Sequence, residues 1–102
     1  MLLTIQNNAE EIIAVLKGNL DTIASEQVEP QIKELESQAE KPLVVDCTSL
    51  DYISSSGLRI LLRLRKAYAA KKMDITLLNV NDNIMDVLQV THFDKMFRIR
   101  QR

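Results

Sequence analysis

Three consecutive serines and a glycine, Ser54-Ser55-Ser56-Gly57, stand directly before a leucine-rich helical segment. A serine at the start of a helix accepts a hydrogen bond from an unpaired first-turn N–H, which stabilises the helix by about 1 kcal/mol. One serine is enough for that role, so the run is longer than capping requires. Free N–H groups and the positive end of the helix dipole also favour an anion here. The sequence therefore indicates a helix start that tolerates a phosphate.

Basic residues follow the last serine along one side of the same helix. An α-helix turns by about 100° per residue, which places four residues on one stripe of this helix: Ser56, Arg59, Arg63 and Lys66. The leucines, Leu58 among them, lie mainly on the opposite face. Residue types alone leave two interpretations open. The segment is either a capped helix with a solvated charged face, or a serine at the head of a basic ridge.

A hydrolase would need a serine nucleophile beside a histidine and a carboxylate. The chain offers His92, its single histidine, and Asp46 or Asp51 for these roles. Nothing around the serines resembles a nucleophile elbow. Two glycines are too few for a phosphate-binding loop, and histidine and carboxylates do not occur at metal-ligand spacing. We therefore expect a protein that is not an enzyme and that holds no metal and no cofactor.

The charge balance argues against nucleic acid as a direct partner. The 102 residues include 13 Lys+Arg and 14 Asp+Glu, a net charge of -1. Basic residues between positions 59 and 72 could suggest RNA, but two Tyr and two Phe without platform spacing offer no surface for stacked bases. The single cysteine, Cys47, and the lack of a long apolar stretch predict a cytoplasmic protein without membrane insertion.

The apolar periodicity predicts one α/β domain over residues 1–102. Strands are expected at 2–6, 12–16, 43–45, 75–78 and 97–100, and helices at about 24–39, 56–71 and 82–90. Asn7 and Asn8 would join the first two strands in a hairpin, and Pro42 would follow the first helix because proline cannot continue it. The order β-β-α-β-α-β-α-β requires crossover connections, so we predict a mixed sheet of about five strands with helices on one face.

The residues around the serines resemble those of one family. The segment Val44-Val45-Asp46-Cys47-Thr48-Ser49-Leu50-Asp51-Tyr52-Ile53-Ser54-Ser55-Ser56-Gly57-Leu58-Arg59-Ile60-Leu61-Leu62 is similar to that of the STAS family, the bacterial anti-sigma factor antagonists. Gly18-Asn19-Leu20-Asp21 resembles the family's G-x-L-D turn, residues 77–80 its fourth strand, and residues 87–93 its third helix and exit. The resemblance covers nearly the whole chain, in the family's order, and implies the STAS fold.

The resemblance also implies a regulator that works by binding. In the family, a cognate serine kinase phosphorylates the last serine of the D-S-[ST]-G-L motif, which corresponds to Ser56. The partner-binding corner would comprise Asp21, Ser54, Ser55, Gly57, Leu58, Arg59 and Arg63. Without phosphate, this corner would bind an anti-sigma factor, which would then release a sigma factor. The same anti-sigma factor would be the serine kinase, and it would use ATP and magnesium. A serine phosphatase would reset the protein.

Two alternatives from the residues stay open at this stage. Asp21 matches the family's acidic loop residue, and it is equally suited to cap a helix that starts near Thr22. The family usually has Asp at the position of Ser54, and this departure favours a second function, a constitutive scaffold subunit. Such a subunit would belong to a stressosome-like assembly or to a lipid-transport ABC ATPase. The sequence does not predict the oligomeric state.

Overall fold

The computed structural model describes residues 1–101, which contain five strands and four α-helices in the order β-β-α-α-β-α-β-α-β. The strands are β1 (Leu2–Asn7), β2 (Ile12–Leu20), β3 (Leu43–Ile53), β4 (Ile75–Leu78) and β5 (Arg98–Arg100). The helices are α1 (Thr22–Gln27), α2 (Glu29–Ser37), α3 (Ser55–Ala70) and α4 (Asp82–Val90), and a 3-10 turn spans Phe93–Lys95. None of the helices in residues 1–101 has the length and apolar character to cross a membrane.

The strands form one mixed sheet in the order β1-β2-β3-β4-β5. β1 and β2 are antiparallel neighbours, as expected for a hairpin, and each later strand is parallel to the one before it. All three parallel connections step in the same direction across the sheet. Right-handed crossovers then bring their helices to the same face. The predicted α/β fold with a mixed five-stranded sheet is confirmed.

Alternating burial along the strands identifies the face that the helices cover. In β3, Leu43, Val45 and Cys47 are buried, whereas Val44 and Asp46 between them are half-buried. The buried side chains of all four helices join the same hydrophobic cluster as these strand residues. The predicted placement of the helices on one face is therefore confirmed.

The first helical segment is two helices rather than the single one expected. α1 ends at Gln27 and α2 begins at Glu29, with Val28 shared as the cap of both. Pro30 lies in the first turn of α2. Its ring nitrogen cannot donate to the carbonyl four residues earlier, and the ring clashes with that carbonyl. The apolar stripe continues through the break, which is why periodicity alone suggested one helix.

β2 and β3 are longer than their apolar runs. Residues 17–20 of β2 pair with residues 49–53 of β3, with one shift in register before Lys17 and a second between Gly18 and Asn19. Gly18 lies next to the second shift with φ +99°, a backbone conformation that residues with a side chain rarely adopt. The apolar run predicts a third strand of residues 43–45 only, whereas pairing with β2 extends β3 to Ile53. Because of this extension, β3 ends two residues before the start of α3.

Gly57 lies in the first turn of α3, pressed against the end of β2. A Cβ atom at this position would lie 2.7 Å from Ile53 Cγ1 and 2.9 Å from the carbonyl oxygen of Leu20. Real Cβ atoms do not approach backbone so closely, and the Leu20 carbonyl is held in the sheet. Only glycine therefore lets α3 pack at this distance.

We expect Gly57→Ala to reduce the free energy of unfolding by about 1–3 kcal/mol, because overpacking outweighs the helix propensity gained by alanine. Urea unfolding followed by circular dichroism measures the change. Ser55→Ala is the matched control, because Ser55 is exposed in the same turn. A Gly57→Ala variant as stable as the unchanged protein would contradict the close approach.

Two buried acids in the core keep their protons to unusually high pH. Burial, helped by the nearby Asp46 carboxylate, raises the pKa of the Cys47 thiol from 9.0 to about 12. Burial also raises the pKa of Tyr68 from 10.0 to about 12, and its hydroxyl donates to the Leu35 carbonyl oxygen at 2.9 Å. Both groups are thus neutral and unreactive in the folded protein over the physiological range.

Alkaline pH should destabilise the fold through these groups. Above about pH 9 the thiol ionises in the unfolded chain and stays protonated in the folded one, so the unfolded state gains stability. From about pH 8 to about pH 10.5, we expect the protein to lose about 2 kcal/mol more unfolding free energy than Cys47→Ala. Urea titrations at the two pH values measure the difference. Equal losses would show that Cys47 titrates alike in both states.

Candidate functional site

Ser54 is the capping residue of α3 and links this helix to β2. Its backbone N–H and its hydroxyl both donate to the Leu20 carbonyl oxygen, at 2.9 and 3.1 Å. The same hydroxyl oxygen accepts from the Gly57 N–H at 3.2 Å. The hydroxyl therefore both donates and accepts a hydrogen bond inside the protein. Ser54 positions the corner.

Ser56 lies in the first turn of α3, at the surface between α3 and α1. Its side chain is half-buried, and its Oγ lies 3.5 Å from Thr22 Oγ1, at the outer limit of a hydrogen bond. Because Ser54 caps the helix, the Ser56 hydroxyl is not needed for capping. Ser55 beside it is exposed. Ser56 is thus the serine whose hydroxyl is both accessible and held in a defined environment.

Asp21 caps α1, next to the same corner. Its Oδ1 accepts from the Ala24 N–H at 2.8 Å, and its carbonyl oxygen accepts from both the N–H and the hydroxyl of Ser25. The capping role expected as an alternative for Asp21 is therefore present. Because α1 begins here, the Asp21 cap fixes Thr22 opposite Ser56.

A shallow open groove of about 380 Å³ separates α3 from α1 and α2 and ends at Ser56. Its walls are formed by Thr22, Ser25, Glu26, Glu29, Ser56, Arg59, Ile60 and Arg63. Arg59 is exposed on the rim, and no ion pair forms between it and the residues described here. It is the cation that this groove presents to solvent.

Arg63 is bound to carboxylates of α2, so the basic ridge, one of the two interpretations left open for this helix face, is not continuous. Its Nη1 donates to both oxygens of Glu29 at 2.8 Å, and its Nη2 donates to Glu36 at 2.7 Å. Hydrogen bonding to Arg63 lowers the pKa of Glu29, and the same bonds, with those to Glu36, raise the pKa of Arg63. Arg63 therefore joins two helices.

Gly57 and Leu58 are placed inside the protein. Gly57 packs on Leu20, and Leu58 is buried in the core. The expectation that they contact a partner directly is corrected by this burial, because their side-chain positions face inward. They shape the corner that Ser55, Ser56 and Arg59 present.

The residues considered for a catalytic triad are not assembled. Asn81 donates to the Leu50 carbonyl and so fixes the start of α4 near the carboxyl end of β3. His92 follows the other end of α4, about 14 Å along the helix axis. The Asp46 carboxylate accepts from the N–H and hydroxyl of Thr48 on the sheet. Within residues 1–101, no group of three potential metal ligands forms.

Sequence reasoning missed the contributions of α1 and α2 to the site. Thr22 contacts Ser56, and Glu29 and Glu36 neutralise Arg63. The spacing of Glu29 and Glu36, two helical turns apart, indicated one acidic face of α2. Which cation this face meets depends on the packing of α2 against α3, which periodicity does not provide.

Comparison with known proteins identifies the family. Residues 2–102 match the STAS domain family. BtrV of Bordetella bronchiseptica, named an anti-sigma factor antagonist, is 28% identical over 99 residues, covering 97% of this chain and 85% of BtrV. Among solved structures, an anti-sigma factor antagonist of Thermotoga maritima superposes with a TM-score of 0.88 at 15% identity, covering 98% of this chain and 86% of that chain.

A second solved structure is Bacillus SpoIIAA in its phosphorylated form. Its TM-score is 0.74 at 21% identity, and the similarity covers 96% of this chain and 90% of that chain. These structural similarities establish the fold, and the match over residues 2–102 establishes the family. The chain belongs to the STAS domain family, and its fold is that of the anti-sigma factor antagonists.

Proposed function

We propose that this protein is an anti-sigma factor antagonist whose binding is switched by phosphorylation of Ser56. In this proposal, residues 1–102 act as one STAS unit that works by binding. The unphosphorylated corner binds an anti-sigma factor, which releases its sigma factor. The same anti-sigma factor is the serine kinase, using ATP and magnesium, and a serine phosphatase removes the phosphate.

The proposal rests on one observation, the different hydrogen bonding of two serines, Ser54 and Ser56. The Ser54 hydroxyl caps α3 and makes two hydrogen bonds inside the protein, whereas the half-buried Ser56 makes one long contact to Thr22. A group added to Ser56 therefore leaves the helix cap intact. SpoIIAA, which shares the fold, exists in a phosphorylated form.

A phosphate at Ser56 changes the surface rather than the core. It adds about -1.5 to -2 charges and three acceptor oxygens. Arg59, one turn along α3, is exposed and available to bind it, together with first-turn N–H groups. Arg63 in the same groove is already paired with Glu29, so among the described residues Arg59 is the one unpaired cation there and part of the added charge stays unneutralised. A partner surface that fits a neutral hydroxyl then meets a bulky anion.

The partner-binding surface proposed here is smaller than the sequence suggested. Ser55, Ser56 and Arg59 present side-chain atoms at the corner, and Thr22 of α1 completes it. These groups are positioned by the residues beneath them, Asp21, Ser54, Gly57 and Leu58. Arg63 holds α2 in place beside them. The constitutive scaffold subunit stays the alternative, in which the serines act only as caps.

We expect phosphorylation at Ser56 alone, and Ser56→Asp to weaken binding to the anti-sigma factor by about 1 to 3 kcal/mol. The melting temperature should change little, because the cap is Ser54. Ser56→Ala should bind and resist switching. Mass spectrometry after incubation with the kinase and ATP locates the phosphate, and titration calorimetry measures affinity. Phosphate on Ser54 or Thr48 instead of Ser56 would show that the motif is misaligned, and unchanged affinity of Ser56→Asp would favour the scaffold.

We expect substitutions of Arg59 and Arg63 to have opposite effects, the first on partner binding and the second on stability. Arg59→Gln should weaken binding of the anti-sigma factor without lowering the melting temperature, because this side chain is on the exposed rim. Arg63→Gln should reduce unfolding free energy by about 1 kcal/mol, since its ion pairs are partly exposed, and leave binding nearly unchanged. Calorimetry and thermal unfolding of both variants check this. The reverse pattern would place the contact surface along α2.

A further inference from the structure

A second groove lies at the end of the sheet opposite Ser56. It is an open cavity of about 350 Å³ between the last turns of α3 and the segment that leads into β5. Its lining residues are Arg65, Ala69, Lys72, Met73, Asp74, Ile75, Lys95, Met96, Phe97 and Arg98. Ile75 and Arg98 begin β4 and β5, which run parallel to β3. Ser54 follows the far end of β3, so the two grooves face opposite ends of the molecule.

This groove is strongly basic in a chain of net charge -1. Four cations line it, Arg65, Lys72, Lys95 and Arg98, against the single carboxylate of Asp74. Asp74 pairs with Arg98 at 3.1 Å, and both side chains are mostly exposed. Lys72 and Lys95 are exposed and form no ion pair with any described residue. The groove thus carries an excess of positive charge that nothing in residues 1–101 neutralises.

The cations are positioned rather than scattered. The Arg65 Nε donates to the Met96 carbonyl oxygen at 2.9 Å, which orients the guanidinium and leaves its terminal nitrogens available. Lys72 has φ 60°, in the left-handed region, directly after the last residue that caps α3. Glycine or asparagine is the favoured residue there, and lysine is sterically costly. Lys72 thus occupies a backbone position that glycine would occupy at lower cost.

An apolar surface accompanies the cations. Met96 is 40% exposed, and Met73 is half-buried on the other side of the groove. The flexible thioether side chains of methionine adapt to varied apolar partners. The occupant therefore needs both carboxylates and an aliphatic side chain.

We propose that this basic groove binds an acidic segment of a partner protein, in which an aliphatic residue is flanked by glutamates or aspartates. Carboxylates spaced along an extended chain, at about 3.3 Å per residue, reach cations on both walls. The aliphatic side chain lies on the two methionines. A compact anion such as phosphate gains nothing from the apolar surface of Met73 and Met96. This site is independent of Ser56.

A fluorescently labelled peptide of glutamates with one central leucine tests the site on the whole chain. Fluorescence anisotropy should show binding that weakens as salt is raised. Lys95→Glu should reduce affinity about tenfold, and Lys72→Gly about threefold. Lys72→Gly should also melt at the same temperature or higher, because glycine suits the left-handed backbone. Lost binding in that variant cannot then arise from unfolding.

The control is Lys17→Glu, an equal charge change at an exposed lysine of β2 outside the groove. Its affinity for the peptide should match that of the unchanged protein. Equal losses for Lys17→Glu and Lys95→Glu would overturn the site in favour of diffuse attraction. Displacement of the peptide by inorganic phosphate at equal ionic strength, or tighter binding to vesicles of anionic lipid, would also overturn it. Ser56→Asp should leave peptide affinity unchanged, which separates this test from that of the proposed function.

Discussion

The Leu20 carbonyl oxygen is the point on which the functional corner depends. It accepts two hydrogen bonds from Ser54, and Gly57 packs against it without a side chain. These contacts join the end of β2, the end of β3 and the first turn of α3 at one atom. Because Asp21 follows Leu20 and caps α1, the same point also sets the position of Thr22 opposite Ser56. Capping and close packing here act together rather than as separate contributions.

Charge is distributed unevenly over this small domain. α2 contributes Glu29 and Glu36, which neutralise Arg63 near the serine corner. Arg65 in the second half of α3 and Lys72 just after the helix have no such carboxylate partners among the described residues. The paired Arg63 of α3 thus lies between the exposed Arg59 near the start of the helix and the unpaired cations at its other end. The near-zero net charge of the sequence conceals this separation.

The sequence predicted the elements well and their contacts poorly. α4 and β4 match the expected ranges, because apolar periodicity and capping residues are local signals. The break at Pro30 was hidden by an apolar stripe that continues across it. The long tail of β3 was missed because its polar residues form a strand only through pairing with β2. The motif residues were found, but the pairing of Arg63 was not, since it depends on how α2 packs on α3.

The break between α1 and α2 has a mechanical consequence. α1 has six residues and contacts Ser56 through Thr22, whereas α2 is locked to α3 by Arg63 and by the Tyr68 hydroxyl. A continuous helix would transmit any displacement at Thr22 along its whole length. The proline interrupts the rigid backbone hydrogen bonding that such transmission requires. A displacement at the serine corner would thus be confined to the short helix α1 and would not be passed on to the core beneath α2.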